Sequence, residues 1–137
     1  MSVPSTQDMF LFQQLDIFYN FGARHELPTH IEQNLAPHIE LREYQEHAFS
    51  NTLEYLSNDK LSKNRQTHLL YHMATGSGKT VMMAGLILHY YSLGYRNFLF
   101  FVNQANIIEK TKANFLNSAS AKYLFAESIE IDGMRVP

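Results

Sequence analysis

Met73-Ala74-Thr75-Gly76-Ser77-Gly78-Lys79-Thr80 separates an apolar run ending at Met73 from a second one beginning at Val81. Glycines at 76 and 78 let the backbone turn tightly and bring several N–H groups onto one anion, a conformation that a Cβ would obstruct. A helix starting near Gly78 points its positive end at the same anion. Lys79 is then placed to reach the β- and γ-phosphates of a nucleotide as a point charge, and the Thr80 hydroxyl to ligate the accompanying Mg²⁺. The stretch reads as a site for a nucleoside triphosphate. The general phosphate-loop pattern has Gly five positions before the Gly-Lys pair, where this chain has Met73. The competing reading is a Gly/Ser-rich turn with Lys79 a solvated first-turn lysine. That reading does not account for the coincidence of Gly-x-Gly-Lys-Thr with a strand-to-helix transition.

The surrounding pattern supplies that transition. Residues 9–21 carry apolar side chains at 11, 12, 15, 18 and 19, the spacing of an amphipathic helix, with Gly22 as its stop. Pro28 and Pro37 punctuate a connector. A second helical pattern opens at Leu41 and runs through Ala48, Phe49, Leu53 and Leu56 to a stop at Ser57-Asn58-Asp59-Lys60. Residues 68–73 have the length and character of a strand. Residues 79–93 are apolar on nearly every side, which predicts a deeply buried helix closed by Gly94. Gly85 inside it hints at close approach by a neighbouring strand. Residues 98–102 are a continuous apolar run such as a buried parallel strand shows, followed by a helix over 106–115 and a strand-like alternation over 128–131. Strand and helix alternate as in an α/β sheet with right-handed crossovers.

With 137 residues the chain accommodates one domain with a core but is short for a complete nucleotide-driven machine. A net charge of −2 gives no global attraction to nucleic acid, so any such contact is local. The absence of cysteine excludes disulfides and thiolate metal sites and agrees with a reducing cytoplasm. Met1 to Asp8 lack the basic and apolar regions of a secretory signal, and no apolar stretch is long enough to cross a bilayer. His68 and His72 share a strand face without a nearby carboxylate, which favours core or partner packing over metal binding.

Leu41-Arg42-Glu43-Tyr44-Gln45, the 73–80 loop and Phe98-Leu99-Phe100-Phe101-Val102-Asn103-Gln104 together resemble successive motifs of superfamily 2 DEAD/DEAH-type helicases and translocases. The likeness is greatest to the N-terminal part of the restriction (Res) subunit of type III restriction enzymes, where Met-Ala-Thr-Gly-Ser-Gly-Lys-Thr is a usual form of the loop. The resemblance implies an α/β fold: a partial RecA-like P-loop NTPase domain, with a parallel sheet and flanking helices, over residues 41–137, preceded by a helical extension and connector over 1–40. It implies ATP and Mg²⁺ held by Thr75, Gly76, Ser77, Gly78, Lys79 and Thr80, with Lys79 and Thr80 in the catalytic role and Thr80 on the metal. Gln45 matches the glutamine that reads adenine, its amide able both to donate and to accept. Arg42 frames that pocket, and Tyr44 stacks beside the base or belongs to the core. Asn103, Gln104 and Asn106 fall where the family contacts the backbone of a DNA strand, a task suited to exposed amides at a helix N-terminus. Lys110 and Lys112 either add charge there or are ordinary surface lysines.

Hydrolysis in this superfamily also needs an Asp-Glu pair on a later strand and arginines from a second RecA-like domain. Neither these nor a nuclease constellation is found before Pro137, so the chain is expected to be the N-terminal portion of a longer motor, truncated before the Asp-Glu motif, binding nucleotide weakly and turning it over negligibly when alone. The complete protein is expected to be a cytoplasmic, ATP-dependent DNA translocase coupled to endonuclease cleavage, working with a methyltransferase (modification) subunit and no membrane. Two alternatives stay open: a helicase-like defence or repair protein without nuclease, and a small P-loop module that never hydrolyses.

Overall fold

The computed structural model describes residues 9–22, 24–63 and 65–136. The reading of Met1 to Asp8 lies outside them. Among the described residues the helices are α1 (Leu11–Asn20), α2 (Thr29–Glu32), α3 (Glu43–Ser57), α4 (Asp59–Ser62), α5 (Lys79–Ser92) and α6 (Ala105–Leu116), and the strands are β1 (Ile129–Ile131) and β2 (Met134–Val136). They form two compact units that interleave along the chain. One holds residues up to Leu27 together with Leu41–His72, and the other holds Pro28–Glu40 together with residues from Met73 onward.

In the first unit α1 and α3 begin with the same device. The Gln13 side-chain oxygen accepts from the Phe10 N–H at 2.9 Å and the Gln45 oxygen accepts from the Arg42 N–H at 2.9 Å, each satisfying a donor that the helix start leaves without a partner. Gly22, at φ 99°, follows α1 where the sequence places its stop. Leu15, Tyr55 and Leu61 are buried together and packed by Leu11, Phe18, Leu56 and Leu69. The aromatic character of α1 is not absorbed by this core. Phe10, Phe12 and Phe21 are exposed, because the helical period turns only one stripe inward. On α3, Thr52 Oγ1 donates to the Ala48 carbonyl at 2.8 Å, so its 2.7 Å contact with Tyr71 has the tyrosine hydroxyl as donor.

In the second unit α2, a single turn in the stretch that reads as connector, packs against α5. Asn34, just after α2, is buried and fastens the C-terminal hairpin: its Nδ2 donates to the carbonyls of His30 (2.8 Å) and Glu130 (2.7 Å), and its Oδ1 accepts from the Glu130 N–H (2.8 Å). The neighbouring backbone forms an antiparallel bridge between Leu35 and Phe125, with bonds from the Ala36 N–H to the Leu124 carbonyl and from the Ala126 N–H to the Asn34 carbonyl. Helix α5 is buried on one face, through Met82, Ala84, Gly85, Leu88 and His89, while Met83, Leu86, Ile87 and Tyr90 line an open cleft. Deep burial all round, as the composition suggests, is therefore not found.

The sheet also differs from expectation. Among the described residues it is a two-stranded antiparallel hairpin, with Ile129 opposite Val136 and Ile131 opposite Met134. Asp132 and Gly133 connect the strands at φ 54° and 73°, the left-handed pair that a two-residue hairpin turn needs. The strand read over 128–131 exists, but it pairs with the residues just after it. Residues 68–73 and 98–102 carry strand-like sequence and no ladder, because a strand is defined by a hydrogen-bonded neighbour and none lies beside them. His68 and His72 are exposed and do not belong to a core of this chain.

Candidate nucleotide-binding loop

Residues 74–80 form a turn that closes on one carbonyl. Ala74 O accepts from the Ser77 N–H at 3.3 Å, from Ser77 Oγ at 2.6 Å and from Lys79 Nζ at 2.9 Å. Gly76 and Gly78 both stand at φ 80°, in the left-handed region where a side chain is strained, and Gly78 is the N-cap of α5. The first helical bond runs from the Met82 N–H to the Gly78 carbonyl at 3.1 Å. The N–H groups of Lys79, Thr80 and Val81 lie before it and have no intrahelical partner. No acidic side chain stands in the first turn of α5, so nothing there opposes an anion. Thr75, Gly76 and Lys79 are exposed, and Ser77, Gly78 and Thr80 are half-buried. The turn can therefore offer an anion backbone donors, a helix end and an ammonium group. A hydroxyl at the second helical position is a hard oxygen donor of the kind Mg²⁺ takes alongside phosphate oxygens.

Arg42 and Gln45 belong to the first unit. Gln45 is buried at the third position of α3, with its oxygen on the Arg42 N–H, while the exposed Arg42 guanidinium donates to the Tyr44 hydroxyl at 3.1 Å. Asn103, Gln104 and Asn106 cluster at the start of α6, all exposed, with Gln104 as N-cap and no acid in the first turn. Lys110 and Lys112 are exposed on the same helix. The cleft flanked by Met83, Ile87 and Tyr90 of α5, Phe98 and Phe100 of the extended segment, and Ile108 and Phe115 of α6 has a volume of about 790 Å³.

The family model described as "Type III restriction enzyme, res subunit" matches residues 38–135. The chain belongs to this family. Membership of the type III Res-subunit family carries a RecA-like helicase fold class. The "Probable type III restriction-modification enzyme HindVIP Res subunit" of Haemophilus influenzae is 51% identical over 108 residues, covering 75% of this chain and 21% of that protein. The chain thus spans about a fifth of the length of the curated relative it matches. No solved structure matches it. No helix among the described residues is long and apolar enough to cross a membrane.

Sequence reasoning missed one cluster in this Res-family chain. His30 and His89 stack with ring planes 12° apart, and His30 Nε2 lies 3.1 Å from His89 Nδ1. Burial lowers the pKa of both rings; Asp132 opposes the shift at His30, and the charge of His30 adds to it at His89. Only the burial of a polar residue on the packed face of α5 could have signalled it, and that is invisible without the fold.

Proposed function

We propose that this chain is the ATP-binding portion of an ATP-dependent DNA translocase or helicase, the restriction subunit of a type III restriction-modification system. The observation that carries the reading is the loop: two glycines at positive φ, Lys79 and Thr80 opening α5, and no competing acid. Kinship with a protein named as a Res subunit supports it.

In this reading Thr75 to Thr80 cradle the triphosphate, and Lys79 Nζ leaves the Ala74 carbonyl for the β- and γ-phosphates. Thr80 holds Mg²⁺, which neutralises charge developing on the phosphates. Gln45 reads adenine with its side-chain amide, and a base that donates to Oε1 shares that oxygen with the Arg42 N–H. Asn103, Gln104 and Asn106 hold DNA phosphates without reading sequence. Residues 41–137 are the beginning of the first RecA-like domain and residues 1–40 its helical extension. In the complete domain, 68–73 and 98–102 become strands of a parallel sheet. The acidic pair, the arginines and the nuclease lie elsewhere in a longer cytoplasmic protein that works with a modification subunit.

Isothermal titration of the full-length protein with ATP and Mg²⁺ tests the site. Lys79→Ala is expected to weaken binding at least tenfold. Unchanged affinity in that variant overturns the assignment.

A further inference from the structure

The His30–His89 contact joins α2 to α5, the helix whose first residue is Lys79, and its proton positions follow from its neighbours. Ser92 Oγ donates its single hydrogen to the His89 carbonyl at 2.7 Å. Toward His30 Nε2, 3.3 Å away, it can therefore only accept. His30 carries its hydrogen on Nε2 and shares it between Ser92 Oγ and His89 Nδ1, which leaves His89 Nδ1 the bare acceptor and puts the hydrogen of His89 on Nε2. A proton arriving from solvent at His89 Nδ1 sets an N–H against an N–H. With both rings charged no arrangement of hydrogens restores the bond, and the two cations repel.

We propose that the His30–His89 bond is a pH-dependent latch that fastens α2 to the phosphate-loop helix and is released once both rings carry a proton. The fastening is local: Ile31 on α2 and Leu88 on α5 are buried, and α2 has only one turn of its own to hold it in place. From the β1–β2 turn Asp132 favours a charge on His30, and Arg96 and Arg135 line a small cleft with Asp132 and Ser92. On α5 itself the Tyr90 ring lies 6.0 Å from His89. Burial holds both rings below the ordinary value of 6.5, so the neutral, latched form prevails above that value and is lost as the pH falls through the lowered ones.

Hydrogen–deuterium exchange of the full-length protein between pH 8 and pH 5, divided by the intrinsic rate at each pH, reads the latch directly. Protection of residues 29–36 is expected to fall at least tenfold, with a midpoint below 6.5, while α3 is unchanged. Loss that is equal in both segments, or absent in residues 29–36, overturns the proposal. His89→Asn, whose side-chain oxygen stands near the place of Nδ1 and accepts from His30 at any pH, is expected to flatten the response, and a response as large as that of the wild type also overturns it. Should that variant lose α3 protection at pH 8 and so prove unfolded, Ser92→Ala decides. Freed of Ser92, the His30 hydrogen can move to Nδ1 and the bond can reverse direction, so release must shift to lower pH; no shift refutes the latch.

Discussion

Gly76 stands at φ 80°, and a Cβ there would meet no heavy atom within 4 Å. The cost of Gly76→Ala is therefore conformational, about 1–2 kcal/mol. It falls on folding wherever the loop keeps this φ, so Gly76→Ala is expected to lower the melting temperature by a few degrees. An unchanged thermal melt with ATP binding roughly 5–30-fold weaker in calorimetry would show instead that the loop relaxes and that binding bears the cost. That both loop glycines need positive φ was legible in the sequence, because the chemistry of an anion cradle demands it. The gathering of three donors on the Ala74 carbonyl was not, since the ammonium of Lys79 has as many directions open to it as its four-carbon stem allows and only the folded turn selects one.

At the scale of elements, the helices read as amphipathic stretches appear within one to three residues of their expected bounds, and the stops at Gly22 and Gly94 hold, both at positive φ. The single turn α2 gives no signal in the sequence because a helix of four residues is too short to show a period. Its neighbour Asn34 carries three hydrogen bonds, two of them to the backbone of Glu130. Asn34→Ala leaves buried partners unmatched and is expected to destabilise the second unit by at least about 2 kcal/mol, with faster exchange at the Glu130 amide. A loss below about 0.5 kcal/mol in urea denaturation would show that water replaces the side chain. In the first unit, hydrogen bonds from Asn58 and then His25 hold Glu54 below its ordinary value of 4.5, outweighing its partial burial. A lowered folded pKa means stability that is present above 4.5 and is lost as the pH falls through the folded value. Glu54→Gln should remove this part of the acid sensitivity, and urea midpoints at pH 6 and pH 4 would show it. An identical acid loss in the variant would place the sensitivity elsewhere.

For the whole molecule, Asp132-Gly133 is a hairpin signal, and the alternation before it reads equally as one more strand of a parallel sheet until its partner is seen to be the residues just after it. The residues at 98–102 behave as a strand in one respect. Their exposure alternates, 40% at Phe98, 84% at Leu99, 47% at Phe100 and 86% at Phe101, the two-residue period of extended backbone. Period is a property of the segment, whereas pairing is a property of its neighbours, so only the first could be read. Expressed as these 137 residues, the chain is expected to self-associate through such unpaired apolar backbone. Sedimentation velocity over rising concentration would detect it, and the double change Leu99→Ser and Phe101→Ser should reduce it; equal association with and without the change would point to another surface.

The bonds between Asn34 and Glu130 span 96 positions of the chain, which gives them a meaning in time. At about 5–20 residues per second, a ribosome makes Glu130 on the order of 5–20 s after Asn34. The first unit has all its residues once His72 has emerged, whereas residues 28–40, which lie between its two parts in sequence, must wait for the hairpin. Protease digestion of nascent chains stalled at successive lengths would find the first unit protected early and residues 28–40 cut until the hairpin is out. During synthesis a buried asparagine and its apolar neighbours stand open to water and to chaperones, and the late hairpin sets how long.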